Sequence, residues 1–357
     1  MLPVTGNLSS RAPLGDLARE ALLAACDDGW ADPLKISQAS ARAAILQNYC
    51  LESISSHLSL SIDQIEILGE VNLGHFLAVG GLLHSDSHLI LGATERSEIF
   101  ATSQNHTGPV SVIPVNQSGQ FEKIEIEKLV TPASVAALAL ANAETGIIQR
   151  LGSPEFNSIQ GAIDATTTGT RIPLPPFWES ALFDASSWGG PCGIGILAIR
   201  NDEQWKNPLP HISSSRVPQS YSLPLLVSAA VALENFEPES DRIRGLTQGL
   251  RTRISQSVED CDIAGELHES LEHITSFSFL YCEGEELLRK LSERGFSVDS
   301  GSACTSMNLQ PSHVLAAMGV LTHGNVRVTI HPGTSETDVH LLGSAIIDSV
   351  KEMRGDA

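Results

Sequence analysis

The sequence predicts an α/β protein: a large domain with a mainly parallel β-sheet flanked by helices, followed by a smaller α+β domain. Three observations support this. Segments with helical periodicity open the chain, short apolar runs separated by turn residues fill its middle, and the pattern changes near Glu237 and Pro238. A chain of 357 residues is also long enough for two domains.

The first part of the chain carries the elements of the large domain. Apolar residues recur at helical spacing in PLGDLAREALLAAC and in ISQASARAAILQNYCLESISSHLSL, which predicts two helices. Strands are predicted at six short apolar runs: HLILGA, VSVIPV, VAALALA, GAIDAT, SALFDAS and GIGILAI. Because amphipathic stretches alternate with these runs, we expect a mainly parallel sheet with helices on its faces.

The part beyond Glu237 has a different rhythm. A helix is predicted through DRIRGLTQGLRTRISQSVED, and shorter elements follow it in HITSFSFLY, EELLRKLSERG, FSVDSGSAC, SHVLAAMG, NVRVTIH and SETDVHLLGSAIIDSVKEMR. This alternation of short strands and helices predicts a compact α+β domain.

Composition limits the classes of function. The formal net charge is −20, with 22 Lys and Arg against 42 Asp and Glu, which argues against a nucleic-acid surface and for solubility or a basic protein partner. The longest apolar runs are too short to span a membrane, and the N-terminus lacks a signal-peptide pattern. We therefore expect a cytoplasmic protein with no nucleic-acid or membrane partner. The cysteines form no CxxC pair, so neither a disulfide framework nor a zinc site is predicted: Cys26, Cys50, Cys192, Cys261, Cys282 and Cys304.

Cys304 differs from the other cysteines in its surroundings. The stretch SGSACTSMNLQPSHVLAAMG places it among small residues, before a Pro-Ser that opens an apolar run of helical period. A thiol on such a loop is accessible, whereas most free cysteines are buried. Cys304 is therefore a candidate nucleophile. The alternative, from the loop alone, is a turn that happens to contain a cysteine.

This stretch, followed by NVRVTI, closely resembles the C-terminal domain of cysteine desulfurases of the NifS/IscS type, which have the class V aminotransferase fold of pyridoxal-phosphate (PLP) enzymes. Further segments match in order and spacing over nearly the whole chain: GNLSSRAP, VSVIPVNQSG, LANAETGIIQ, GAIDATTTG, FDASSWGGPCGIGIL and RGLTQGLRTRI. The resemblance implies a PLP-transferase-like large domain over residues 13–236. It assigns residues 1–12 and 237–357 to the small domain that carries the Cys304 loop.

The resemblance also implies a chemistry. In that family a lysine holds PLP as a Schiff base, and PLP acts as an electron sink at the substrate cysteine. A loop cysteine then attacks the substrate sulfur, which leaves alanine and an enzyme persulfide. Cys304 matches that cysteine. The family builds its sites at a two-fold interface, so a homodimer, or a heterodimer with a catalytic desulfurase paralogue, is implied.

The match fails at the cofactor positions. DASSWGGPCG aligns with the family's lysine segment through its Gly-Pro and places Ser187 at the Schiff-base lysine, although a serine cannot form an imine. The ring-stacking histidine falls on Arg96. The phosphate-binding helix start becomes LGEVNLGHF, where Glu70 would oppose a phosphate, and the second phosphate clamp becomes roughly VPQSYS. The literal GATE at residues 92–95 is expected at the end of a strand instead. We therefore expect no cofactor.

Other positions are retained. Asp164 matches the aspartate that pairs with the pyridinium nitrogen, and Thr167 falls where the family has a glutamine. Asn142 matches a turn at the substrate, and Arg327 matches the arginine that binds the substrate carboxylate. Structural alternatives are a strand-end cap for Asp164, a turn cap for Asn142 and a surface strand position for Arg327. The remaining candidates share no metal-ligand spacing and are expected to be scattered or packed: His75, His106, His313, His323 and His331.

The sequence favours a desulfurase-like protein without PLP catalysis that acts in sulfur transfer as a partner, a regulator or a persulfide acceptor through Cys304. One alternative is an active PLP-dependent desulfurase or lyase with a non-standard cofactor site. Another is a structural dimerisation module. The identity of a sulfur acceptor protein stays open.

Overall fold

The computed structural model describes residues 6–131, 134–156, 159–211, 216–218, 220–238, 241–301 and 311–355. The strands are β1 (Gly6–Asn7), β2 (Ile65–Leu68), β3 (His88–Gly92), β4 (Val110–Ile113), β5 (Ser134–Ala139), β6 (Gln160–Asp164), β7 (Trp178–Asp184), β8 (Gly195–Ile199), β9 (Cys261–Ile263), β10 (Ile274–Phe279), β11 (Phe296–Ser297) and β12 (Val326–Thr329).

The helices flank these strands along the chain. They are α1 (Asp16–Asp28), α2 (Gln38–His57), α3 (Val71–Gly80), α4 (Ser97–Gln104), α5 (Lys123–Leu129), α6 (Leu223–Glu234), α7 (Asp241–Ser257), α8 (Gly284–Glu293), α9 (His313–Met318) and α10 (Glu336–Arg354). None of the helices in the described part of the chain combines the length and the apolar character that crossing a membrane requires.

The large sheet has the strand order β2-β8-β7-β6-β5-β3-β4. Strands β3 to β7 run parallel, which confirms the α/β fold with a mainly parallel sheet. The six apolar runs predicted as strands are β3 to β8. Every residue of β5 is buried, as expected for a strand covered by helices on both faces.

One strand departs from the predicted parallel rhythm. β8 pairs antiparallel with both β7 and β2. The reason is the short connection from β7, which turns through the left-handed residues Gly189 and Gly193. A parallel return would need a crossover of a dozen or more residues. The hydrophobic pattern of a buried strand is the same in either direction and does not reveal its sense.

The C-terminal part of the chain forms a three-stranded antiparallel sheet in the order β12-β10-β9. Its core joins residues of β10, β12, α7, α8 and α10, including Phe277, Phe279 and Leu342. The N-terminal strand β1 pairs in parallel with β11, Gly6 opposite Phe296. Gly6 and Asn7 thus lie beside the C-terminal part. The domain limits given above stay a prediction.

Candidate functional site

The candidate site lies at the carboxyl ends of the parallel strands, where open α/β sheets bind ligands. β3 ends at Gly92, so the GATE residues 92–95 do lie at the end of a strand, as their spacing predicted. β6 ends at Asp164, whose side chain is buried. Residues that follow β3, β5 and β6 therefore meet at one edge of the sheet.

Asp164 is held by four contacts from three neighbouring residues. Its Oδ1 accepts hydrogen bonds from the Thr166 amide at 2.8 Å and from the Thr166 hydroxyl at 2.5 Å, which is the strand-end cap considered above. Its Oδ2 accepts from Arg96 Nε at 2.9 Å and lies 3.3 Å from His75 Nε2. Both carboxylate oxygens are therefore already paired within the chain.

Arg96 joins two of the sequence-predicted residues. It lies just before α4, and its Nη2 donates to Thr167 Oγ1 at 2.8 Å while its Nε contacts Asp164. Burial alone would raise the pKa of Asp164, but the Arg96 guanidinium and His75 hold this pKa well below its usual range. Asp164 is thus an ionised, charge-balanced carboxylate.

Glu95 is a second buried carboxyl group in the site, and it has the opposite charge state. Its Oε1 accepts from the Ala139 amide at 3.1 Å, and its Oε2 has no hydrogen-bond partner within the described residues. Burial raises the pKa of Glu95 to about 8, against the weaker effect of the Ala139 hydrogen bond. Glu95 is therefore mainly protonated at neutral pH.

Asn142 stabilises the turn that follows β5. Its Oδ1 accepts from the amides of Glu144 and Thr145, both at 2.9 Å, and its Nδ2 donates to the Thr94 carbonyl at 2.8 Å. This geometry matches the turn cap that the sequence left open as an alternative. The turn also presents Glu144, which is buried.

Arg327 lies on β12 and is mostly buried, with 13% of its side chain exposed. Its Nη2 donates to Asp299 Oδ2 at 2.7 Å and its Nη1 donates to the Ala143 carbonyl at 2.8 Å. Asp299 also accepts from the Ser10 amide at 2.5 Å. Burial would raise the pKa of Asp299, yet Arg327 and Ser10 lower it overall. Arg327 is therefore an internally paired residue and not a surface strand position.

Ser187 lies in a short 3₁₀ turn, Ala185–Trp188, that follows β7. Its hydroxyl donates to the Asp184 carbonyl at 2.7 Å, and Arg171 Nη1 donates to the Ser187 carbonyl at 2.6 Å. The position that the alignment gives to the family's lysine thus carries a short hydroxyl engaged with its own backbone.

Glu70 begins helix α3. Its Oε1 accepts from the Asn72 amide at 2.9 Å, so a carboxylate of the chain caps the end of the helix where anions are favoured. The preceding Gly69 lies against the carbonyl of Ser220, and a side chain at position 69 would overlap that carbonyl. The Glu70 carboxylate therefore caps the start of α3, and the Ser220 carbonyl lies against the preceding Gly69.

Cys304 lies outside the described residues, but the residues on either side of its loop are described. The Gly301 amide donates to Asn325 Oδ1 at 2.8 Å. Ser312 Oγ donates to Glu144 Oε2 at 2.8 Å, and a side chain at position 301 would overlap the Glu144 carboxylate. Glu144 thus contacts both flanks of the loop. Burial raises the pKa of Glu144, although the Ser312 hydrogen bond and Arg327 oppose this.

Two histidines of the set expected to be scattered or packed lie in the site. His75, on α3, contacts Asp164, and His313 Nε2 lies 2.8 Å from the Glu95 carbonyl. Sequence reasoning also missed Glu95, Glu144 and Asp299 as site residues. Their partners lie on distant segments, so no local spacing marks them. The described residues include no group of three or more His, Cys, Asp or Glu side chains arranged for a metal ion.

Comparisons with known proteins agree with this architecture. A family model described as Aminotransferase class-V matches residues 213–342. A solved NifS-like protein superimposes with a TM-score of 0.84 at 19% identity, covering 99% of this chain and 100% of that chain. A NifS-like protein from Rickettsia africae gives a TM-score of 0.81 at 16% identity, covering 98% and 99%.

The relatives found by sequence are described as cysteine desulfurases. The chain is 27% identical over 299 residues to a cysteine desulfurase of Nostoc sp., covering 74% of each chain. It is 27% identical over 292 residues to the cysteine desulfurase IscS of Photorhabdus laumondii, covering 75% of this chain and 71% of the relative.

The fold is that of the PLP-dependent transferases, and residues 213–342 match the class V aminotransferase family model. The chain is similar to the cysteine desulfurases of the NifS/IscS type, which confirms the resemblance seen in the sequence.

Proposed function

We propose that this desulfurase-like protein acts in sulfur transfer without PLP chemistry of its own, as a partner, a regulator or a persulfide acceptor through Cys304. It would work in the cytoplasm, as a homodimer or as a heterodimer with a catalytic paralogue. The observation that carries the proposal is the pairing of Asp164 with Arg96. The carboxylate assigned to the pyridinium nitrogen already has a cation of the chain beside it.

The residues at the other cofactor positions do not fit PLP either. Ser187 offers a hydroxyl where an amine is needed for a Schiff base. Glu70 places a negative charge at the helix start where the family binds phosphate. Arg327, assigned to the substrate carboxylate, is paired with Asp299. No step of the proposed function therefore passes through a cofactor.

The proposed step is thiol–persulfide exchange at Cys304. Its thiolate attacks the outer sulfur of a protein persulfide, an S–S bond to Cys304 forms, the donor's S–S bond breaks, and the donor leaves as a thiolate. The reverse reaction passes the sulfur to an acceptor thiolate. The exchange is balanced and needs no external oxidant or reductant.

The test is sulfur loading. The purified chain is mixed with an active PLP-loaded cysteine desulfurase and L-cysteine, and the Cys304 peptide is examined by mass spectrometry. We expect a gain of one sulfur atom on that peptide, with no gain in Cys304→Ser. Cys192→Ser is the matched control, because Cys192 is an exposed free cysteine. Neither sulfur loading nor binding to the desulfurase would refute both the acceptor and the partner forms of the proposal.

An active PLP-dependent desulfurase is the second candidate, favoured by the names of the relatives and by the presence of Asp164 and Arg327. The visible spectrum with and without added PLP, followed by borohydride reduction and peptide mapping, tests it. A reduced PLP adduct on any lysine, with alanine released from L-cysteine, would establish this candidate. If Cys304→Ala instead leaves every phenotype unchanged, a structural dimerisation module is favoured.

A further inference from the structure

We propose that the site supplies its own ligands: Arg96 serves Asp164 as a built-in counter-ion, while the carboxylates of Glu70 and Asp299 occupy the neighbouring anion positions. The site then keeps its shape without any bound small molecule. This inference deepens the proposed function and rests on the same assignment of the site.

The Arg96–Asp164 pair is the centre of the argument. Only 3% of the Asp164 side chain is exposed, and a carboxylate at such depth requires a charged partner. Arg96 supplies it through Nε, and its Nη2 donates to Thr167, so the planar guanidinium joins the last residue of β6 to the segment that follows it. His75 offers a longer contact of 3.3 Å, and its Nδ1 has no partner in the described part of the chain. Arg96 is thus the principal counter-ion.

Glu70 provides the first internal anion. The N-terminus of α3 has amide groups without partners in the helix and a positive dipole end, which together attract negative charge. The Glu70 carboxylate accepts from the Asn72 amide there, and the Ser220 backbone covers the adjacent Gly69. A free anion binding there would have to displace the Glu70 carboxylate and the Ser220 backbone.

Asp299 provides the second internal anion. It takes one nitrogen of Arg327, and the Ala143 carbonyl takes another. The Asp299 carboxylate is fixed in turn by the Ser10 amide, and backbone hydrogen bonds join Asp299 and Arg327 in both directions. Arg327 therefore has its carboxylate partner already in place.

Thermal unfolding of Arg96→Ala tests the proposal. Removing one partner of a buried pair should lower Tm by roughly 5–10 °C. The matched control is Arg42→Ala, which removes an exposed arginine paired with Asp28, whose side chains are 51% and 47% exposed. This control should change Tm by no more than about 2 °C. Millimolar methylguanidinium should then restore part of the loss in Arg96→Ala and leave wild type and Arg42→Ala unchanged.

A double-mutant cycle measures the coupling between Arg96 and Asp164, so the test does not depend on the Arg96→Ala variant alone. Asp164→Asn is nearly isosteric and removes the charge, and Arg96→Ala/Asp164→Asn removes both charges. We expect the decrease in Tm of the double variant to be clearly smaller than the sum of the decreases in the two single variants, because no unpaired charge stays buried. Arg96→Lys should be intermediate, since a lysine keeps the charge but loses the fork that also contacts Thr167.

Three results would overturn the proposal. They are an Arg96→Ala loss no larger than that of Arg42→Ala, losses that add fully in the double variant, and a wild-type Tm that rises when PLP is added. Sulfur loading of Cys304, measured on the same variants, is an independent readout. If neither sulfur loading nor binding to the desulfurase is seen, while the losses in the double-mutant cycle are non-additive, the proposed function alone is refuted. Loading with fully additive losses would refute this inference alone.

Discussion

At the scale of single residues, Glu95 and Asp164 are two carboxyl groups in one site that are held in opposite charge states. Burial disfavours the charged form of both. The Arg96 guanidinium donates a hydrogen bond directly to Asp164, whereas a backbone amide donates to the side chain of Glu95. Arg96 and His75 therefore keep Asp164 ionised, whereas no interaction of comparable strength offsets the burial of Glu95.

The Glu95 carboxyl predicts a pH dependence of stability. Its pKa is about 8 in the folded chain against an ordinary value of 4.5. Between these pH values the folded state binds a proton that the unfolded state has released, so stability falls as pH rises, by at most about 1.4 kcal/mol per pH unit. Glu95→Gln cannot ionise, so its stability relative to wild type should increase across this window.

Urea unfolding at about pH 5 and about pH 8 measures this effect. Glu52→Gln, which changes an exposed glutamate on α2, is the matched control and should keep a constant difference from wild type. A pH-independent difference between Glu95→Gln and wild type would contradict the assigned protonation state.

At the scale of elements, the turn after β5 connects the two flanks of the Cys304 loop. Glu144 accepts from Ser312, which begins α9, and lies against Gly301. Arg327 on β12 binds the Ala143 carbonyl in the same turn. One short turn after β5 thus contacts described residues on both sides of the Cys304 segment.

Gly301→Ala tests this connection. The added methyl group would overlap the Glu144 carboxylate, and we expect a loss of about 1–3 kcal/mol in the free energy of unfolding together with a changed rate of Cys304 alkylation. Glu144→Ala, combined with Gly301→Ala, removes the overlap and should recover most of the loss that the glycine substitution causes. If the second substitution gives no recovery, the contact between positions 144 and 301 is not the cause.

The elements also show what the sequence could predict. Apolar periodicity located β3 to β8 and most helices, because burial on a sheet or helix face imposes that period. It missed the antiparallel sense of β8, because a buried strand has the same pattern in either direction. Alignment by resemblance brought Arg96, Asp164 and Thr167 to one site. His75 and Asp299 have contacts 89 and 28 residues away in the chain, and such pairs leave no local signal.

At the scale of the whole molecule, exposed apolar side chains are concentrated in the first helices and the segment between them. Trp30 is 73% exposed, Leu34 75% and Ile36 fully exposed. Further exposed apolar residues follow on α1 and α2: Leu17, Leu23, Ile45 and Tyr49. Exposed apolar side chains grouped along one segment of the chain are typical of interaction sites. It is a candidate face for the homodimer or heterodimer proposed above.

Trp30→Asp is therefore expected to weaken association. A charge placed at an exposed aromatic of an interface should shift the mass measured by light scattering after size-exclusion chromatography toward the monomer. Tyr281→Asp is the control, because Tyr281 is a 77% exposed aromatic in the C-terminal part of the chain. An unchanged mass for Trp30→Asp, where wild type is oligomeric, would place the interface elsewhere.

The pairing of Asp164 with Arg96 has a consequence for the steady-state level of this protein in the cell. A protein that binds a vitamin-derived cofactor gains stability in proportion to RT ln(1 + [L]/Kd), so its folded population follows nutrition. In the proposed arrangement Arg96 takes the place of the cofactor's positive charge beside Asp164, so the counter-ion is synthesised with the chain. We expect the steady-state level of this protein to remain constant under vitamin B6 starvation, while that of a cofactor-dependent relative in the same cell declines.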